Sequence, residues 1–143
     1  MIDKTKKFDL LNRLLAIEYR SFPMYLADAC PWTHHGDEKA TETLDNIVAD
    51  QKAMVQRVGE FILDAGGRVE TGEYPMEFTD THFLSLDFLL KELVRYQRGD
   101  VAEIERIVSQ LGDERQGREL AEETLGMERA HLESLEALVS QPA

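Results

Sequence analysis

Glu128 and His131 stand three residues apart in the run MERAH. On a helix that spacing puts both side chains on one face, one turn apart. A carboxylate and an imidazole so placed form a donor pair for a metal ion. The pair becomes more informative beside three other acids on or next to apolar stripes of helical spacing. Glu18 lies one turn from both Leu14 and Phe22, Asp50 lies between Ile47 and Met54, and Glu92 lies between Phe88 or Leu89 and Tyr96. Glu128 itself sits between Leu125 and Leu132. Carboxylates gathered in an apolar interior are costly unless protonated, paired or coordinated. Hard oxygen donors with one imidazole suit iron or manganese. The candidate metal ligands are therefore Glu18, Asp50, Glu92, Glu128 and His131. The competing arrangement is a metal-free polar core, with Glu18 held by a basic neighbour such as Arg95 or Arg129.

The elements that must carry these residues are helical, since apolar positions recur at three-four spacing and no sustained period-two alternation is present. A first helix is expected over roughly residues 5–30, with Leu11, Leu14, Leu15, Phe22 and Tyr25 on one face, ending at Cys30-Pro31-Trp32. Pro23 stands one turn after Glu18 and clashes with the Tyr19 carbonyl, so a kink is expected there. Asp37 is a candidate N-cap for a second helix over roughly 38–65, with Leu44, Ile47, Met54, Val58 and Phe61 inward and Gly66-Gly67 at its end. Residues 66–79 read as an extended connection. Thr79 or Asp80 opens a third helix through Phe83, Leu86, Leu89, Leu90 and Leu93, with a bend or break expected at Gly99-Asp100 before Val101, Ile104, Ile107 and Val108 resume the pattern. Gly112-Asp113 turns the chain into a fourth helix bearing Leu125, Leu132, Leu135 and Val139.

Two short links and one long one make two antiparallel helical hairpins joined by a crossover, an all-α four-helix bundle expected to occupy residues 1–143 as one domain. At the shared height, Glu18 and Asp50 each lie about 18 Å from the first hairpin turn, so they face one another. Glu92 and Glu128 match less well, by about 6 Å.

Composition bounds the partners. The 143 residues carry a formal charge of −12, with 16 Lys and Arg against 28 Asp and Glu. That balance disfavours nucleic acid and anionic membrane as partners. A single cysteine, Cys30, leaves no internal disulfide. No apolar run is long enough to span a bilayer and the first residues lack a signal-peptide core, so the cytoplasm is the expected compartment. Adjacent His34 and His35 fall in the first link and His82 begins the third helix, about 15 Å from Glu92. Tyr19, Tyr25, Phe88 and Tyr96 read as core aromatics. Gly59 and Gly126, inside helices, suggest close helix approach.

The placed acids and the Glu-x-x-His pair make this chain resemble the ferritin-like superfamily, and especially its bacterioferritin branch. That pattern has a lone Glu on the first helix, Glu-x-x-His on the second, a lone Glu on the third and Glu-x-x-His on the fourth. Glu18 matches the first, Glu92 the third, and Glu128 with His131 the fourth. The second helix departs, with Asp50-Gln51-Lys52-Ala53 in place of Glu-x-x-His. The resemblance implies an incomplete dinuclear site for iron or manganese, with iron handling or protection from oxidative stress as its role. If a pair of irons binds, it also implies oxidation of Fe(II). Gln51 stands where a haem-ligating Met would follow the acid, so no haem is expected. No fifth, cage-forming helix follows the fourth in this sequence, so a homodimer is expected rather than a shell. The alternative is a bundle that keeps the fold without the metal, serving as a non-enzymatic binding or structural dimer.

Overall fold

A computed structural model describes residues 2–29, 38–81 and 86–140. Cys30, Pro31, Trp32, His34, His35, Asp37, His82 and Phe83 lie outside the described residues, and with them the expectations placed on them. Helix α1 spans Lys4–Tyr19, with the Asp3 side chain accepting the Lys6 N–H at 2.8 Å as its N-cap. The expected single helix over 5–30 is instead two. α1 stops at Tyr19 and α2 spans Phe22–Ala29. Pro23 lacks the N–H that would bond to Tyr19, and Ser21 takes over as a cap, its hydroxyl accepting the Met24 N–H at 3.2 Å.

α3 runs Glu38–Asp64 and ends as its two glycines predict. Gly66 takes φ +89°, the Gly66 N–H bonds to the Leu63 carbonyl and the Gly67 N–H to the Ile62 carbonyl at 2.8 Å. These are the paired bonds of a Schellman cap. Gly67 is also sterically required, because a Cβ built there falls 2.6 Å from the Phe8 ring and 2.9 Å from Ile62 Cγ2. Gly67→Ala is therefore expected to lower stability by about 1–3 kcal/mol through overpacking. A urea titration showing a loss below about 0.5 kcal/mol would mean Phe8 simply swings away.

The long connection is laced to α1. The Asn12 amide donates to the Arg68 carbonyl and accepts the Glu70 N–H, both at 2.8 Å. Arg20 donates to the Thr71 and Gly72 carbonyls at 3.3 and 3.2 Å and lies over the rings of Tyr19 and Tyr74. The segment is not extended throughout, since Met76–Thr81 forms a 3-10 helix that plants Phe78 among Phe22, Tyr25, Tyr74 and Tyr96. α4 follows over Leu86–Leu111 and passes through Gly99 without a break. Gly112, at φ +53°, makes the turn, and the Glu114 carboxylate caps α5, Arg115–Ser140, through the Gly117 N–H at 2.8 Å.

Cross-helix ion pairs fix the register. Arg98 meets Glu136 and Arg129 meets Glu105, so α4 and α5 run antiparallel. The chain is an all-α helical bundle of two hairpins and a crossover, as its spacing predicts. Gly59 and Gly126 mark no close approach, because a Cβ on either would meet nothing within 4 Å.

The interior is layered. One apolar cluster holds Leu10, Leu11, Leu14 and Leu15 with Met54, Val58, Ile104, Leu111 and Ala121, while a second holds Phe22, Leu44, Ile47, Leu93 and Leu135. On every long helix the residue between the two layers is polar. Glu18, Gln51, Gln97 and Glu128 occupy that level, each at most 1% exposed.

Candidate functional site

The centre of this polar layer is Glu128. Its Oε2 accepts from Gln51 Nε2 at 2.9 Å, and its Oε1 accepts from Gln97 Nε2 at 3.1 Å. The same Gln97 nitrogen reaches the Glu128 main-chain oxygen at 3.0 Å. His131 Nδ1 also bonds to Oε1, one turn along α5. The Gln51 amide is oriented from its other end, where the Ser21 hydroxyl donates to Oε1 at 2.7 Å. Thus the serine that caps α2 also aims an amide N–H at the core carboxylate.

The protonation states follow from who can donate. His131 faces a carboxylate at each ring nitrogen, Glu128 at Nδ1 and Asp50 Oδ2 at Nε2 across 2.8 Å. Both bonds require both nitrogens to carry hydrogen, so the ring is imidazolium. Burial lowers its pKa, but the bonds and charges of Glu128 and Asp50 outweigh that and raise it. Burial also opposes ionisation of Glu128, yet hydrogen bonds from Glu18, His131 and Gln51 hold its pKa down to about 2. Glu18 behaves oppositely. Burial, then the neighbouring Glu128 charge, push its pKa well up. Neither Glu18 oxygen accepts a hydrogen bond from a donor among the described residues. Its contact with Glu128 is bonded only when Glu18 is the neutral acid and donates. Asp100, three residues past Gln97 on α4, is raised to about 7 by burial and by Glu128.

Of the five expected ligands, Glu18, Glu128, His131 and Asp50 are linked in one chain of contacts. Asp50 joins from outside, its side chain 55% exposed. Glu92 does not join. It lies on the flank of α4, bound to Arg95 at 2.6 Å. Gln97, five residues later, takes the inward position, which removes the mismatch in height. On α3 the apolar face is the expected one, with Leu44, Ile47, Met54 and Val58 buried, and the polar residue on that face is Gln51, one residue past Asp50. Gln51, Gln97, Ser21 and Asp100 were not expected as site residues, although the stripe Leu93, Gln97, Asp100, Ile104 shows two of them by spacing alone.

These residues do not fit a pair of metal ions bridged by Glu128. The second- and third-helix positions that face it carry neutral amides whose N–H groups point at the carboxylate, and the α3 position one turn on carries the thioether of Met54. An N–H aimed at an oxygen occupies the direction from which a cation would be bound. Among the described residues, no three His, Cys, Asp or Glu side chains are grouped so as to hold a metal ion. The arrangement instead holds protons, one on Glu18 and one on His131, around a single buried carboxylate.

Comparison with known families matches residues 8–142 to the Ferritin-like domain. No curated protein and no solved structure matches the chain.

Proposed function

Since the chain belongs to the ferritin-like family, we propose that it is a member in which the dinuclear centre is rebuilt as a hydrogen-bonded polar core, and that its bundle serves as a non-enzymatic binding or structural homodimer in the cytoplasm. Proteins of this family are generally iron-related. The observation that carries the reading is the convergence of two amide donors, Gln51 Nε2 and Gln97 Nε2, on Glu128. Together with His131 they satisfy the buried carboxylate without metal. Among the described residues no helix is long and apolar enough to cross a membrane. The charge of −12 points away from polyanionic partners.

The competing function is that of an iron- or manganese-binding protein of iron handling or oxidative-stress protection, its ligands drawn from Glu18, Asp50, Glu92, Glu128 and His131. The gathering of four of these five residues favours it. It requires both amides to turn away from Glu128, the Ser21–Gln51 bond to break and Glu92 to leave Arg95.

Anaerobic Fe(II) loading followed by elemental analysis separates the two. The expected result is no stoichiometric pair of irons, and Fe(II) oxidation in air no faster than in protein-free buffer. Two irons per chain, or accelerated oxidation lost in Glu128→Ala, would overturn the proposal. Light scattering is expected to give twice the 16.3 kDa chain mass; a monomer at micromolar concentration would remove the dimer from the reading.

A further inference from the structure

A groove of about 590 Å³ opens between α3 and α5, starting about 9 Å along α3 from the polar layer at Gln51. Buried Leu120 and the partly buried Phe61 form its floor, and charged side chains form its walls. Gln51 bonds to Glu128 and Arg57 to Glu123, so the two helices run antiparallel and their levels can be matched. Arg57 and Glu123 bridge the groove at one end. One turn on, Glu60 stands level with Glu119 and Leu120, and a further turn on Asp64 stands level with Gln116.

The groove already takes two cations from its own chain. The Arg57 guanidinium reaches from wall to wall to Glu123, and the Lys7 ammonium lies 5.6 Å from the centre of the Phe61 ring. The rest of the groove has no such partner. Among the described residues no Lys or Arg pairs with Glu60 or Asp64, and Glu60 accepts only from Gln56, at 3.1 Å. Glu119 meets Arg115, itself 87% exposed. Four carboxylates against one guanidinium leave the lining net negative. Such a lining repels a second copy of itself across a two-fold axis, so a cationic partner fits it and its own copy does not. A single metal ion does not fit it. Glu60 and Asp64 are one turn, about 6 Å, apart along α3. Among the described residues no three acids are grouped so as to hold a metal ion.

We propose that the groove between α3 and α5 binds a linear aliphatic diamine or polyamine lying along the helix axes. Its methylene chain covers Phe61 and Leu120, as the stem of a lysine covers apolar surface. One ammonium sits at the level of Glu60 and Glu119, beside the Phe61 ring. The other sits about 6 Å further on, at Asp64 and the side-chain oxygen of Gln116. Two charges held apart by a flexible chain match two acids one turn apart, which a compact ion cannot do. Each exposed ion pair contributes little alone, so binding depends on holding both ends at once and on covering the chain between them. The site shares no residue with the Glu128 network and stands independently of the metal-free reading.

The test is a calorimetric titration of putrescine, the four-carbon diamine, into the full-length protein at neutral pH and low ionic strength. One saturable diamine per chain is expected, with n-butylamine, which carries a single ammonium, at least about tenfold weaker. Glu60→Gln combined with Asp64→Asn should weaken the diamine at least about tenfold, and Phe61→Leu about threefold. Glu42→Gln combined with Glu133→Gln removes the same charge from exposed positions elsewhere on α3 and α5, and should leave binding within about twofold. Circular dichroism on each variant separates lost binding from lost fold. Absence of saturable binding in the parent protein overturns the site. Equal weakening by the two double variants also overturns it, since the diamine would then be gathered by the net charge of −12 and not by the groove. Butylamine bound as tightly as the diamine does so too, because no second ammonium would then be held at Asp64.

Discussion

Glu128→Ala is expected to remove about 3–5 kcal/mol of folding stability, the range for breaking a buried, hydrogen-bonded charge network by deleting one partner. The loss is large because the hub goes while its donors stay. Gln51 Nε2 and Gln97 Nε2 lose their shared carboxylate, and the His131 imidazolium keeps only Asp50. Each buried donor left bare costs about 1–3 kcal/mol, and the charged one more. A chain of 143 residues has of the order of 5–15 kcal/mol in total, so the variant should be close to half unfolded in mild urea. Removing the whole network should be far gentler. Glu128→Leu combined with Gln51→Leu and Gln97→Leu is expected to recover at least about half of the loss, because no unpaired donor remains on Gln51 or Gln97. Urea denaturation at pH 7 checks both. A loss below about 1 kcal/mol for Glu128→Ala would show that water already serves these donors and that Glu128 is no hub.

The fold was legible because apolar spacing, glycine and proline act locally. Gly66-Gly67 closes α3 and Gly112 turns α4 into α5, each through a backbone conformation that glycine adopts freely. Glu18 and the Glu128–His131 pair were legible for a related reason, since a charge inside an apolar stripe stands out. The amides did not stand out. Gln51 sits one residue from Asp50, and Gln97 lies one turn past Leu93 while Glu92 lies one residue before it. One residue is about 100° of rotation, enough to carry a side chain from the core to the flank. A search for charged ligands therefore selected the neighbouring acids, although uncharged Gln can be buried at lower cost than either of them. Pro23 announced a kink near Arg20-Ser21, but not the full break into two helices, nor that Ser21 would also orient Gln51. That second role depends on α3 packing opposite it, which no local signal carries.

Glu18→Gln is expected to stabilise the protein by about 1–3 kcal/mol at pH 8 in the presence of a chelator, and to leave it almost unchanged near pH 4.5. Glu18 has a raised pKa in the folded state, against an ordinary value of 4.5, so folding takes up a proton. Its contribution is fully present below 4.5 and is lost as pH rises toward the folded value. Asp100, raised from 3.8 to about 7, acts with the same sign between those values. His131, raised above 6.5, adds a third loss from 6.5 upward. Glu128 opposes them only in acid, where its contribution falls away as pH drops from 4.5 through about 2. The parent protein should therefore become less stable from about pH 5 to pH 8.5. An amide at position 18 donates to Glu128 without taking up a proton, so the variant keeps that bond at every pH and its stability should fall less steeply. The residual slope belongs to Asp100 and His131. A variant less stable than the parent at pH 8 in chelator would mean that Glu18 is ionised there and served by water, and the proton-held core would fall with it.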